Sequence, residues 1–170
     1  MKTLTTLLLS ASLALSIQIA SASTASKTYS LTGEARSGSL IPPVAATSNV
    51  PFNKRYEDLT LSQQELVKAK FDQLADNARP PFPARGLADV YKPLIKANKI
   101  YGDNQPLSVR LNVNSKGKVD RVTVNQASGT PANPELVAYL DKKLRRTAFE
   151  PAYCGDSSCS MDFPIEISFN

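Results

Sequence analysis

Cys154 and Cys159 are the only cysteines of the chain, which has no histidine. Those two facts limit the chemistry available. Redox exchange favours a C-x-x-C spacing, and here four residues, Gly155 to Ser158, separate the sulfurs. A zinc site needs four ligands, and two cysteines without histidine would have to borrow carboxylates. A structural disulfide is therefore expected, worth about 2 kcal/mol for so short a loop in the chain-entropy model. Without histidine there is no Ser-His-Asp or Cys-His arrangement. No H-E-x-x-H, P-loop or G-x-G-x-x-G run occurs. Asp156, Asp162 and Glu166 could pair as acid and base, but no apolar cleft is in view to raise a carboxyl pKa. The expectation is a protein that is not an enzyme and holds no metal or cofactor.

The cysteine loop lies just before a terminal run in which Met161, Phe163, Ile165, Ile167 and Phe169 alternate with polar residues. That is the pattern of a half-buried strand. Leu107, Val109, Leu111 and Val113 alternate in the same way. "SKGK" (115–118) is a turn, and Val122 and Val124 lead a partner strand with Val119 out of phase, as at a bulge. Asn133 is a good N-cap, Pro134 suits the first helical position, and Leu136, Val137, Leu140 and Leu144 form an apolar face. Lys142, Lys143, Arg145 and Arg146 crowd the last turns, where positive charge complements the helix dipole. A surface for an anionic partner is the alternative reading of that cluster.

Hairpin, helix and strand imply three strands in the order 2-1-3 with the helix on one face. The last strand is then an edge. Pro164 points the same way, because a residue without an N–H is confined to sheet edges and bulges. Asp162, Glu166 and Ser168 share its lateral direction and should carry the free donors. The candidate site is accordingly the edge Asp162, Phe163, Pro164, Ile165, Glu166, Ile167 and Ser168. It could accept an extended peptide or a second copy of the chain.

Upstream, Ser62 to Glu65 reads as a capping box with Leu61 and Leu66 as a hydrophobic staple. The stripe Val67, Phe71, Leu74 and Ala75 predicts a helix to about Asp76. "NARPPFPARGL" (77–87) must be extended, a rigid corner packed by Phe82 or a proline-rich ligand. A second helix is expected from Ala88 to Asn98, provided Pro93 falls within its first turn. The fold class is thus α+β: N-terminal helices, then β-β-α-β, with a three-stranded antiparallel sheet packed on a helix.

The N-terminus bears on the compartment. Lys2, the apolar stretch Leu4 to Ala20 and Ala20-Ser21-Ala22 form a signal peptide cleaved after about Ala22. The organisation is then 1–22 signal peptide, 23–57 a flexible or extended leader rich in Ser, Thr, Ala and Pro, and 58–170 a single domain. Within it, 58–100 is helical. Hydrophobic residues make up 42% of the chain and charged residues 21%, which is a globular composition. The net charge of +5 is spread out, without the aromatic-flanked patch of a nucleic-acid binder.

The ordered set "VRLNVNSKGKVDRVTVNQASG", "ELVAYLDKKLRRTAFEPA" and "IEISF" resembles the C-terminal domain of TonB and, more distantly, that of TolA. The resemblance spans about residues 105–170, and "PPFPARG" is similar to the segment preceding the first strand of that family. It implies a periplasmic domain that takes a short peptide of an outer-membrane receptor by strand addition, here at Met161 to Phe169. Combined with a cleavable leader, the expectation is an exported, periplasmic TonB-like binding module for a protein or peptide of the cell envelope. It would have no stable membrane insertion after cleavage and no nucleic-acid partner. A structural or accessory envelope protein with a covered edge is the alternative.

Overall fold

A computed structural model describes residues 27–33, 45–72, 74–75, 77–101 and 105–169. The expected signal peptide lies outside them. The elements in order are β1 (Tyr29–Thr32), β2 (Ala45–Ser48), α1 (Leu61–Lys68), β3 (Phe82–Pro83), α2 (Ala88–Tyr101), β4 (Leu107–Val113) and β5 (Val119–Gln126). There follow α3 (Pro134–Leu144), β6 (Phe149–Glu150), β7 (Ala152–Cys154), β8 (Ser157–Cys159) and β9 (Met161–Ile167). The fold is mixed, with three helices and several small antiparallel sheets among the described residues.

The largest sheet has the order β5-β4-β9, antiparallel throughout. The alternation in β4 puts Leu107, Val109, Leu111 and Val113 on one face, all buried, beside Phe163, Ile165 and Ile167 of β9. Helix α3 lays Leu136, Leu140 and Leu144 against that apolar face, and α2 packs beside α3 with Val90, Leu94 and Ile95. Asn133 caps α3 by accepting from the Glu135 N–H, and Pro134 costs nothing at the first position, where no intrahelical partner exists. Asn112 stands opposite Arg121 but Val113 opposite Val119, so Asp120 is the extra residue of a bulge. This explains why Val119 falls out of phase in the sequence. Gly117 (φ +73°) is required in the turn on two counts. Its backbone is left-handed, and a Cβ there would lie 2.1 Å from the Phe149 carbonyl oxygen.

Several upstream elements differ from the sequence reading. The N-cap of α1 is Thr60, two residues before the expected Ser62. The Thr60 hydroxyl accepts from the Gln63 N–H, and the Gln63 side chain accepts from the Thr60 N–H. Leu61 is 81% exposed and Leu66 41%, so they do not act as a staple. The helix ends at Lys68 rather than near Asp76 because the chain turns there, bringing Phe71 onto Phe163 with ring centroids 6.0 Å apart. Pro93 lies inside α2 as its sixth residue, beyond the first turn, and the helix runs on to Tyr101. The apolar contacts of Val90, Tyr91, Leu94 and Ile95 outweigh the bond that Pro93 cannot make.

Residues of the 23–57 leader are part of the folded core. Strands β1 and β2 pair with each other and pack on α2. Ala46, Val50, Phe52 and Tyr56 are buried in the common core. The proline corner is likewise internal: Pro80, Pro81 and Phe82 are fully buried, and β3 pairs with β6. Arg79 exchanges backbone bonds with Tyr153, its guanidinium pairs with Glu150, and it stacks 4.9 Å from the centre of the Tyr56 ring.

Candidate functional site: the outer edge of the last strand

The direction of the free groups on β9 follows from β4, which it borders. At one end of β4 the Pro106 carbonyl accepts from Ala127, on the β5 side. At the other end the Asn114 N–H donates to Lys118, again toward β5. Backbone groups alternate sideways along a strand, so Ser108, Arg110 and Asn112 also face β5. Val109, Leu111 and Val113 face β9, where they meet Ile165, Phe163 and Met161. The residues between these, Asp162, Pro164 and Glu166, therefore turn their backbone away from the sheet. Pro164 sits where its missing N–H costs no ladder bond. Among the described residues no hydrogen bond reaches the outward backbone groups of Asp162, Pro164 or Glu166, and no strand pairs on that side.

The sequence-derived site residues fall into two sets. Asp162, Pro164 and Glu166 present backbone outward, with Asp162 and Glu166 exposed. Phe163, Ile165 and Ile167 are buried and bond inward, so they support the edge without offering groups to it. Ser168 is exposed and lies just past the end of β9. Beside the edge stand Leu66 of α1 and the turn that follows the helix. Leu66 and Lys70 share a recess of about 280 Å³ with Glu166, Val50 and Tyr91. Burial lowers the Lys70 ammonium pKa below the usual lysine value, and the nearby Glu166 carboxylate partly offsets this. Burial raises the Tyr91 phenol to about 12.

Cys154 and Cys159 form a disulfide with Cα atoms 5.9 Å apart. It closes the β7–β8 hairpin around Gly155, whose φ of +74° the tight turn uses. Only Ser160 separates β8 from β9, and its hydroxyl donates to the Val113 carbonyl. The covalent loop thus leads directly into the edge strand. The basic end of α3 is partly spoken for. Arg145 pairs with Asp141 at 2.9 Å and donates to the Asp120 carbonyl, and Lys143 lies 5.8 Å from the Tyr139 ring centre.

The polar phase of β4 signals a solvent side of the sheet. Its side chains form three rows across β5, β4 and β9. Arg121, Asn112 and Asp162 make the first row, and Thr123, Arg110 and Pro164 the second. Asn125, Ser108 and Glu166 make the third. Asn112 donates to Asp162 at 2.8 Å, and Arg110 approaches the other Asp162 oxygen at 4.0 Å.

Among the described residues no group of three or more carboxylates and cysteines is placed to hold a metal ion. No helix among them is long and apolar enough to cross a membrane. No protein-family model, curated protein or solved structure matches the chain.

Proposed function

We propose that this protein is an exported binding module of the cell envelope that takes an extended peptide of a partner protein onto the outer edge of β9. The observation that carries this reading is the outward backbone of Asp162, Pro164 and Glu166, which has no partner among the described residues. An added strand would take its main-chain bonds there, and its alternate side chains would continue the apolar row of Phe163, Ile165 and Ile167. The resemblance of residues 105–170 to TonB C-terminal domains supplies the kind of partner, an outer-membrane receptor or another periplasmic protein. It also supplies the setting, periplasmic transport across the outer membrane. The Cys154–Cys159 disulfide supports an oxidising compartment.

A second reading is favoured by the turn that follows α1. With Phe71 on Phe163 and Lys70 beside Glu166, this turn flanks the edge, as it would in an accessory envelope protein that binds nothing there. Capture from a periplasmic and outer-membrane extract separates the two readings, comparing the mature protein with Glu166→Pro. That substitution removes one outward N–H and leaves the inner ladder intact. Loss of a captured partner supports strand addition. Identical partner sets support the covered edge.

A further inference from the structure

The solvent face of the sheet holds an open depression of about 490 Å³, formed by side chains of all three strands. Its chemistry is uniform. Arg110 and Arg121 supply two guanidinium groups, and Ser108, Thr123, Asn112 and Asn125 surround them with hydroxyls and amides. Asp162 closes one side. No aromatic or aliphatic side chain lines it. That argues against a peptide needing apolar anchors, and against nucleic acid, which uses aromatic stacking platforms.

Within the depression two guanidinium groups face one carboxylate, because Glu166, the other acid of this face, lines the recess with Lys70 and Tyr91 instead. Asp162 already accepts from Asn112 and stands 4.0 Å from Arg110, so it answers part of one guanidinium. Arg121, at the opposite end of the same row, has no carboxylate partner among the described residues, and it is exposed. Arg110 and Arg121 occupy diagonal positions on adjacent strands, about 7–8 Å apart at the backbone and within reach of one ligand for long side chains. Their planar forks match a carboxylate. The side chains of Ser108, Thr123 and Asn125 make no hydrogen bond to another described residue, so each can give or accept one with a ligand. Thr123 lies directly across from Arg110 and two residues along β5 from Arg121, so a carboxylate held between the arginines leaves the attached ring beside Thr123.

We propose that this face binds a sugar acid, a hydroxyl-bearing ring carrying one carboxylate. The carboxylate lies between Arg110 and Arg121, and the ring hydroxyls meet Thr123, Ser108 and Asn125. The site is separate from the backbone edge of β9 and does not depend on strand addition there.

Galacturonate, galactose and propionate distinguish the ring from the charge. Each is titrated to millimolar concentration into the mature protein, with backbone amide shifts followed by NMR. Saturable binding of galacturonate is expected, with shifts centred on Ser108, Arg110, Arg121 and Thr123. Galactose and propionate should each bind at least tenfold more weakly. Arg121→Gln and Arg110→Gln should each weaken galacturonate at least tenfold, with the amide spectrum otherwise unchanged. Three results would overturn the proposal: no saturable shift, equal binding of galactose or propionate, or undiminished binding by both arginine variants.

Discussion

Arg110 and Pro164 stand opposite each other across β4 and β9, yet neither turns its backbone toward the other. Arg110 gives its groups to β5, and Pro164 faces outward. This one rung sets the parity of the whole edge: Phe163 and Ile165 hold the sheet, while Asp162 and Glu166 are free to bond beyond it. A proline one residue away in either direction would have cost a ladder bond.

The cap of α1 gives a direct check on local structure. Thr60→Ala removes the hydroxyl that accepts from Gln63 and should cost about 1 kcal/mol. Ser62→Ala, at the position the sequence pattern favoured, should cost a few tenths at most, since Ser62 is exposed and lies inside the helix. Urea denaturation of the two variants measures the difference as a shift in midpoint at constant slope.

Opening the Cys154–Cys159 disulfide should destabilise the protein by about 2 kcal/mol. The double Cys→Ser variant tests this without a reductant. Because the loop leads into β9 through Ser160 alone, amide exchange should rise first at Met161 and then at Phe163, whose N–H groups face β4. The β4–β5 hairpin, held by its own ladder, should change little.

Alkaline pH should weaken the fold through Tyr91. Its phenol is raised from 10.0 to about 12 by burial, so the folded protein keeps a proton that the unfolded chain releases. Stability from this residue is complete below pH 10 and is lost as pH climbs toward 12. The loss reaches at most about 3 kcal/mol, two pH units at 1.36 kcal/mol each. Lys70, with its pKa lowered, acts in the opposite sense in the alkaline range. The comparison is therefore Tyr91→Phe against the unsubstituted protein. The variant should show a shallower fall in urea midpoint between pH 9 and pH 11.

How much of this could be read from the residues depends on the range of the forces involved. Strands β4 and β9 and helix α3 were legible because local pattern and tertiary packing agree there: strict alternation in Leu107–Val113 and Met161–Ile167, and an Asn-Pro-Glu start before a 3.6-residue stripe. The start of helix α1 is ambiguous in the sequence because Thr60 and Ser62 are equally good caps, and the burial of Val67 helps fix which turn starts the helix. Pro93 sits inside α2 because a buried helix face compensates for one lost bond, which a local rule on proline does not capture. The join of Arg79 to Tyr153 and of β3 to β6 links residues about 70 apart, and no local pattern encodes it. The same holds for Val50, Phe52 and Tyr56, which sit in a Ser- and Pro-rich stretch yet complete the core. Pro164 signals an edge position in the sequence, but no local pattern shows that Leu66 and the turn after α1 stand beside it.

The central claim, that a partner strand bonds to the outer side of β9, is tested most directly by residue-resolved amide exchange on the free protein and on its captured complex. The account predicts fast exchange at Asp162 and Glu166 in the free protein and slow exchange at both in the complex. Phe163 and Ile165 should stay protected throughout. Protection of Asp162 and Glu166 without a partner, or none with one, would contradict it.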